Sequence, residues 1–238
     1  MTAENVIKDL KIFSDKEKAK ILQKFFKTGE GEYGEGDIFI GVVVPDIRTV
    51  AKKYKDLQLL EIQKLLDSKI HEYRLTGLII LTYKFTKADE KLKKEIVGMY
   101  LNNTKQINNW DLVDLSCHEI LGNYFLDHAG KEIFIKLSKS KNLWEKRIAI
   151  ISTFEFIRNK QFEDSLKIAE ILINDKHDLI HKAVGWMLRE IGKRDLKVEE
   201  NFLQKHYRTM PRTMLRYSIE KFPEKKRKSY LLKTPIEH

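Results

Sequence analysis

Apolar residues recur along the whole chain with the period of an amphipathic α-helix, and charged residues fill the positions between them. Residues 21–26 and 78–85 are clear instances, because apolar side chains in both recur every three or four positions. Residues 27–44 lack this period and hold five of the eleven glycines, so they are predicted to be extended or irregular. Further helices are predicted to begin at three prolines, where the missing N–H costs nothing: Pro45, Pro211 and Pro223.

Similar helix openings return along the chain at separations of about 31 to 37 residues. This interval is the length of a helix pair, and its recurrence is typical of stacked helical repeats. The predicted fold is therefore an all-α solenoid, in which successive second helices line a concave face. Because no linker interrupts the array, we expect residues 1–238 to form a single domain. The openings begin at His71, Asn108, Asn142, His177 and Arg208.

Composition and charge narrow the class of protein. A chain of 238 residues with 42% hydrophobic content can bury a core, and four prolines against 34% charged residues exclude a turn-rich β protein. Forty-five Lys and Arg against thirty-five Asp and Glu leave a formal charge of +10, which indicates a polyanionic partner. With one cysteine, Cys117, and no apolar run of membrane-spanning length, we expect a soluble, cytoplasmic monomer that contacts no membrane.

Two motifs imitate known sites without the required context. Residues 29–34 have the glycine spacing of a dinucleotide-binding loop, but a helix precedes them and acidic residues surround them. Residues 177–181 resemble a zinc-protease helix, but Asp178 is a good N-cap, and a helix start is the better interpretation. We therefore expect neither a metal nor a nucleotide cofactor. The roles of Glu35 and Asp37 stay open.

Residues 108–114 place a carboxylate beside the apolar face of a predicted helix, called the apolar strip below. With Asn109 as N-cap, Trp110 and Asp114 lie one helical turn apart on the same face. In one interpretation Asp114 is exposed at the edge of the strip or paired with a distant arginine. In the other, its carboxylate lies beside the aromatic ring and stabilises a developing cation.

Two later helices carry polar or aromatic residues at unusual positions. Arg147 lies among apolar positions, where it can snorkel, pair with a carboxylate or reach a phosphate. Residues 180–191 bury one face and leave Trp186 on the opposite side amid cations, which suits contact with a nucleic-acid base. The alternative is that Trp186 packs against the next repeat. The accompanying cations are Lys182, Arg189 and Lys193.

The order and separation of these segments resemble the AlkD-type DNA alkylation repair glycosylases, which are built from HEAT-like helical repeats. The resemblance spans roughly Lys27 to Pro223 and includes the glycine segment. It implies a right-handed solenoid of HEAT-like antiparallel helix pairs with a basic concave face. The motifs that carry it are HEYRLTGLIIL, NNWDLVD, WEKRIAI, KAVGWMLREIGKRD and MPRTMLRYSIEKF.

The resemblance implies a monofunctional glycosylase of base excision repair that hydrolyses the N-glycosidic bond of cationic N3- and N7-alkylated purines in double-stranded DNA, leaving an abasic site. It implies that Asp114 is the catalytic carboxylate, with Trp110 and Trp186 as aromatic partners at the lesion. Arg147 is then a contact to backbone phosphate. The alternative is a non-catalytic helical-repeat protein that binds nucleic acid. Further candidate phosphate contacts are Lys182, Arg189, Lys193, Arg212 and Arg216.

Overall fold

The computed structural model describes residues 1–232, which form helices and loops with one parallel bridge between Ile38 and Ile70. This confirms the predicted all-α class. In the same residues, no helix is both long and apolar enough to span a lipid bilayer. The internal contacts of the chain divide it into two compact units, Met1–Ser116 and Cys117–His238. The expectation of one domain over residues 1–238 stays a prediction.

The first unit is organised around its fifth helix. Its helices are α1 (Ala3–Ile12), α2 (Lys16–Phe25), α3 (Val44–Lys53), α4 (Leu59–Leu66), α5 (His71–Lys87), α6 (Glu90–Asn102) and α7 (Trp110–Asp114). Helix α5 packs against α3, α4, α6 and α7, and every residue from His71 to Leu81 is buried. Because the helical turns from His71 to Leu81 are buried on all faces, α5 is the central helix of the unit and does not lie on its surface.

The glycine-rich segment runs from the end of α2 to the start of α3 without a helix, as predicted. Gly41 has a φ of +85°, and a Cβ there would lie 2.0 Å from the Asp15 carbonyl oxygen, so only glycine fits. The Glu72 carboxylate accepts the N–H groups of Ile40 and Gly41 at 3.0 and 2.8 Å. These bonds fasten the segment to the first turn of α5.

The second unit begins with a π-helix, His118–Gly122, and centres on α13. Its other helices are α8 (Asn123–Asp127), α9 (Glu132–Ser138), α10 (Leu143–Ser152), α11 (Phe154–Arg158), α12 (Glu163–Leu172), α13 (Asp178–Gly192), α14 (Leu196–His206), α15 (Arg212–Ser218), the 3-10 helix Ile219–Lys221 and α16 (Glu224–Leu232). Helix α13 packs against α10, α14 and α15. Its predicted apolar arc is fully buried: Ile180, Val184, Met187, Leu188 and Ile191.

The predicted helix openings agree with the structure to within two residues for α5, α7, α10 and α13. Helix α15 begins at Arg212, four residues after the predicted opening at Arg208. The N-cap of α13 is His177, not Asp178 as predicted, because the His177 Nδ1 accepts the Leu179 N–H at 3.1 Å. The imidazole nitrogen replaces the expected carboxylate oxygen as the capping acceptor.

Candidate active site

Helix α7 carries two of the predicted site residues at its ends. The Asn109 side chain caps it, as predicted, and accepts the Trp110 N–H at 2.8 Å. Trp110 is the first residue of the helix and Asp114 the last, and both side chains are half-buried. A helix of five residues makes a single turn and gains little stability from its own hydrogen bonds. Its orientation therefore depends on what its side chains contact.

An aromatic cleft lies beside Trp110. Its volume is about 320 Å³, and most of the side chains around it are apolar. The Trp110 ring stacks on Phe26 at 5.1 Å, and Phe26 stacks on Phe39 at 5.0 Å. Such a cleft, with a few polar groups among aromatic side chains, suits an organic ligand. The lining residues that bear on its chemistry are Phe25, Phe26, Phe39, His71, Trp110 and Asp111.

In the wall of this cleft the imidazole of His71 joins two carboxylates. Its Nδ1 lies 2.9 Å from Asp37 Oδ2, and its Nε2 lies 2.8 Å from Asp111 Oδ2. Arg74 adds a second cation, with Nη2 donating to Asp37 Oδ1 at 2.6 Å. All four side chains are buried. Two cations thus face two carboxylates, all of them almost wholly removed from solvent, and unpaired charge is very costly there.

These contacts set the protonation of the network. Burial by itself lowers the pKa of His71, but the charge of Asp111 and the hydrogen bonds to both carboxylates outweigh it and raise the pKa to about 9. Burial alone raises the pKa of Asp37, but the His71 hydrogen bond and the Arg74 charge lower it below its usual value. Around neutral pH the network therefore contains an imidazolium and an ionised Asp37.

The sequence pattern does not reveal this network. Its signal is the opening of α5, where His71, Glu72 and Arg74 occupy the first turn of a helix whose following residues are apolar. Ionisable residues in a wholly buried turn need partners, because burying a lone charge is prohibitive. The partners Asp37 and Asp111 lie 34 and 40 residues from His71. Nothing in the local pattern identifies them.

In the second unit, Trp186 on α13 is half-buried, so it packs against neighbouring residues and keeps part of its surface accessible. Its ring lies 5.9 Å from that of Phe154 on α11, with the planes inclined by 40°. The guanidinium groups of Arg158 and Arg194 lie 5.9 and 5.8 Å from the same Phe154 ring. Trp186 is thus part of a cationic and aromatic cluster to which neighbouring helices contribute.

Arg147 is buried, with 5% of its surface exposed. Its Nη1 donates to the carbonyl oxygen of Leu179 at 2.6 Å, in the first turn of α13. Burial among apolar neighbours agrees with its predicted position on α10, and the guanidinium contributes to the contact between α10 and α13. A phosphate contact by Arg147 stays a prediction.

The predicted phosphate contacts differ in how much charge they present to solvent. Arg212 and Arg216 are exposed, and Arg212 Nη1 donates to the Leu231 carbonyl oxygen at 3.0 Å. The other three pair with carboxylates of the same unit, which reduces the net positive charge at their surface. These pairs are Lys182 with Asp178, Arg189 with Glu220, and Lys193 with Glu190.

The chain is similar to a known protein family and to a solved structure. The model of the family described as DNA alkylation repair enzyme matches residues 6–222. Among solved structures, a chain described as a predicted DNA alkylation repair enzyme from Enterococcus faecalis superposes with a TM-score of 0.69 at 15% sequence identity. The match covers 89% of this chain and 97% of that one, and at this identity it shows a shared fold. No curated protein matches the chain.

Proposed function

Because this chain belongs to the DNA alkylation repair enzyme family, we propose that it is a monofunctional DNA glycosylase. Its proposed substrate is duplex DNA that contains a cationic N3- or N7-alkylated purine, and its products are the free purine and an abasic site. One observation carries the proposal. Trp110, which lines the aromatic cleft, and the half-buried residue Asp114 belong to the same single-turn helix.

The chemistry of the lesion matches these two groups. An N-alkylated purine is already cationic, so it departs with the glycosidic electron pair as a neutral base and needs little acid catalysis. The deoxyribose becomes oxocarbenium-like as the bond breaks, and water then adds its oxygen to C1′. The Asp114 carboxylate stabilises the positive charge and orients or deprotonates the attacking water. The indole of Trp110 supplies a π-face that attracts the cationic sugar.

The second unit is proposed to contribute DNA contacts. Trp186 is assigned as a further aromatic partner at the lesion and Arg147 as a phosphate contact, both on the resemblance. Arg212 and Arg216 are proposed as phosphate contacts because they are exposed arginines. Phosphate contacts fix the register of a protein on DNA and supply most of its salt-dependent affinity.

The deciding experiment is release of free base from a duplex that contains one N7-methylguanine. We expect the wild-type protein to release it and to leave an alkali-labile site, and we expect Asp114→Asn to slow release by roughly 100-fold or more. Asp56→Asn removes the same charge at an exposed position of the same unit and is the matched control. A wild-type protein that binds the duplex but releases no base would instead support the non-catalytic alternative.

A further inference from the structure

The buried charge network meets α7 at the residues that precede and follow Trp110. Asp111, next to Trp110 in the chain, accepts from His71 Nε2, while its Oδ1 accepts the Leu112 N–H at 2.9 Å. Asn108, two residues before Trp110, accepts from Arg74 Nη2 at 2.9 Å. Its Nδ2 donates to Asp37 Oδ1 at 3.1 Å. Helix α7 is therefore attached to α5 on both sides of its first residue, and to the glycine-rich segment through Asn108 on the preceding side.

We propose that His71 is a positioning residue, which fixes the orientation of α7 by bridging Asp37 and Asp111. This inference rests on the proposed glycosylase function, because its consequence is the placement of Trp110 and Asp114 against the lesion. His71 is buried and hydrogen-bonded on both sides, so it is not a catalytic residue in this role.

The bridge requires a ring that donates from both nitrogens. Each nitrogen faces a carboxylate oxygen, and a neutral imidazole would turn a lone pair toward one of them. An imidazolium satisfies both, and its pKa of about 9 keeps it in that form at neutral pH. The groups that face it are Asp37 from the glycine-rich segment, Asp111 from α7, and the neighbouring Glu72 and Arg74 of α5.

The same ring also supports the indole of Trp110 through its neighbours. The His71 ring stacks on Phe39 at 4.4 Å and lies 5.2 Å from Phe26. Phe26 is the ring on which Trp110 stacks. One buried imidazole thus contacts the column of rings beneath Trp110 and bonds the residue that follows Trp110. A change at His71 should displace both the backbone and the ring of Trp110.

The test compares His71→Gln, Asp111→Asn and the double variant in the full-length protein. Two quantities are measured: the single-turnover rate of base release from the N7-methylguanine duplex and the Kd for an undamaged duplex. Both are measured at a temperature at which circular dichroism shows that every variant is folded. Each single variant is expected to lower the rate roughly 10-fold or more, since small displacements at a reacting centre are costly. Kd should stay within about threefold, because the DNA-contacting side chains remain. If His71→Gln does not fold, Asp37→Asn replaces it in the comparison, because it removes the carboxylate at the other nitrogen of the same bridge.

The double variant distinguishes a bridge from two independent residues. Because both substitutions break the same contact, the double variant should be no slower than the slower single variant. Tyr54→Phe is the control for lost stability, since it removes a hydrogen bond to Asp9 in the same unit and should leave the rate unchanged. Rates that multiply in the double variant, or single variants as fast as wild type, would overturn the positioning role. An inactive wild type would overturn the glycosylase proposal and this inference with it.

Discussion

The indole ring of Trp110 lies nearly parallel to the phenyl ring of Phe26, with centroids 5.1 Å apart and planes inclined by 19°. Phe26 is only 7% exposed and stacks on Phe39, so one face of the indole rests on a buried column of rings. Phe25 meets the same indole edge-on at 6.0 Å and stays 61% exposed. The orientation of Trp110 is therefore set mainly by Phe26.

Replacing Phe26 by leucine should impair base release more than the same change at Phe25. The Phe26→Leu variant removes the stacked ring, a contact of about 0.5–1.5 kcal/mol beyond the area it buries, and leaves the indole free to tilt. We expect the single-turnover rate to fall roughly 10-fold, against a smaller change for Phe25→Leu. Both variants are compared below their unfolding transitions. Equal effects would show that the stack does not orient the indole.

The exposure of the arginines predicts which of them contact phosphate. Arg216 is exposed, whereas the Arg189 side chain is 17% exposed and is paired with Glu220. Arg216→Ala should reduce the slope of log Kd against log salt concentration by about one unit, and Arg189→Ala should change it far less. Equilibrium binding to an undamaged duplex at several salt concentrations measures both slopes. A larger slope change for Arg189→Ala would contradict the assignment.

Local sequence signals account for most of the fold. The period of apolar residues on α13 identified all five residues of its buried arc, because burial of one helix face needs apolar side chains every three or four positions. Asn109 was predicted as the cap of α7, because its short side chain can accept an N–H at a helix start. Both the apolar spacing and the cap residue are local signals, because each depends on residues that are about one helical turn apart in the sequence.

The parts of the site that were not predicted depend on contacts between distant segments. A helical period shows that a face is buried but not which element packs against it. The sequence of α13 therefore does not predict that the Phe154 ring lies beside Trp186. The bridge from His71 to Asp37 and Asp111 joins three segments that lie far apart in the sequence, and none of them alone shows which charged residues pair. Charge pairing of this kind is decided by tertiary structure.

Two glycines in helices should respond oppositely to alanine. A Cβ on Gly185 would lie 2.5 Å from the Met214 carbonyl oxygen, so Gly185→Ala must push α15 away from α13 and should cost about 1–3 kcal/mol of unfolding free energy. On Gly98 of α6, such a Cβ would meet no described atom within 4 Å other than those of its chain neighbours and its own helix backbone. Gly98→Ala should therefore stabilise the protein by about 0.5–1 kcal/mol through helix propensity. Urea unfolding measures both, and destabilisation by Gly98→Ala would contradict the assignment.

Glu199 is a buried carboxyl of the second unit that keeps its proton at neutral pH. It is 1% exposed, and burial, together with the charge of Glu200, raises its pKa to about 9 against the opposing charges of Arg189 and Lys226. The unfolded chain ionises this group near its ordinary pKa of 4.5. At Glu199 the folded state therefore holds one more proton than the unfolded state between pH 4.5 and about 9, and the contribution of this group to stability falls as pH rises through this window.

A glutamine at this position cannot ionise, so Glu199→Gln should remove that part of the decline. We expect the Tm of the variant and of wild type to lie closest near pH 5 and to separate in favour of the variant by roughly 10 °C or more at pH 9. One retained proton costs about 1.4 kcal/mol per pH unit, and about 1 kcal/mol shifts Tm by 2–4 °C in a protein of this size. The His71 bridge weakens over a similar range in both proteins, so its contribution cancels in the difference. Scanning fluorimetry from pH 5 to pH 9 measures this difference in Tm. Glu163→Gln, at an exposed position, is the control, and its Tm should change with pH as that of wild type does. A Glu199→Gln profile parallel to that of wild type would show that Glu199 is ionised in the folded protein, because only a retained proton makes the two profiles diverge.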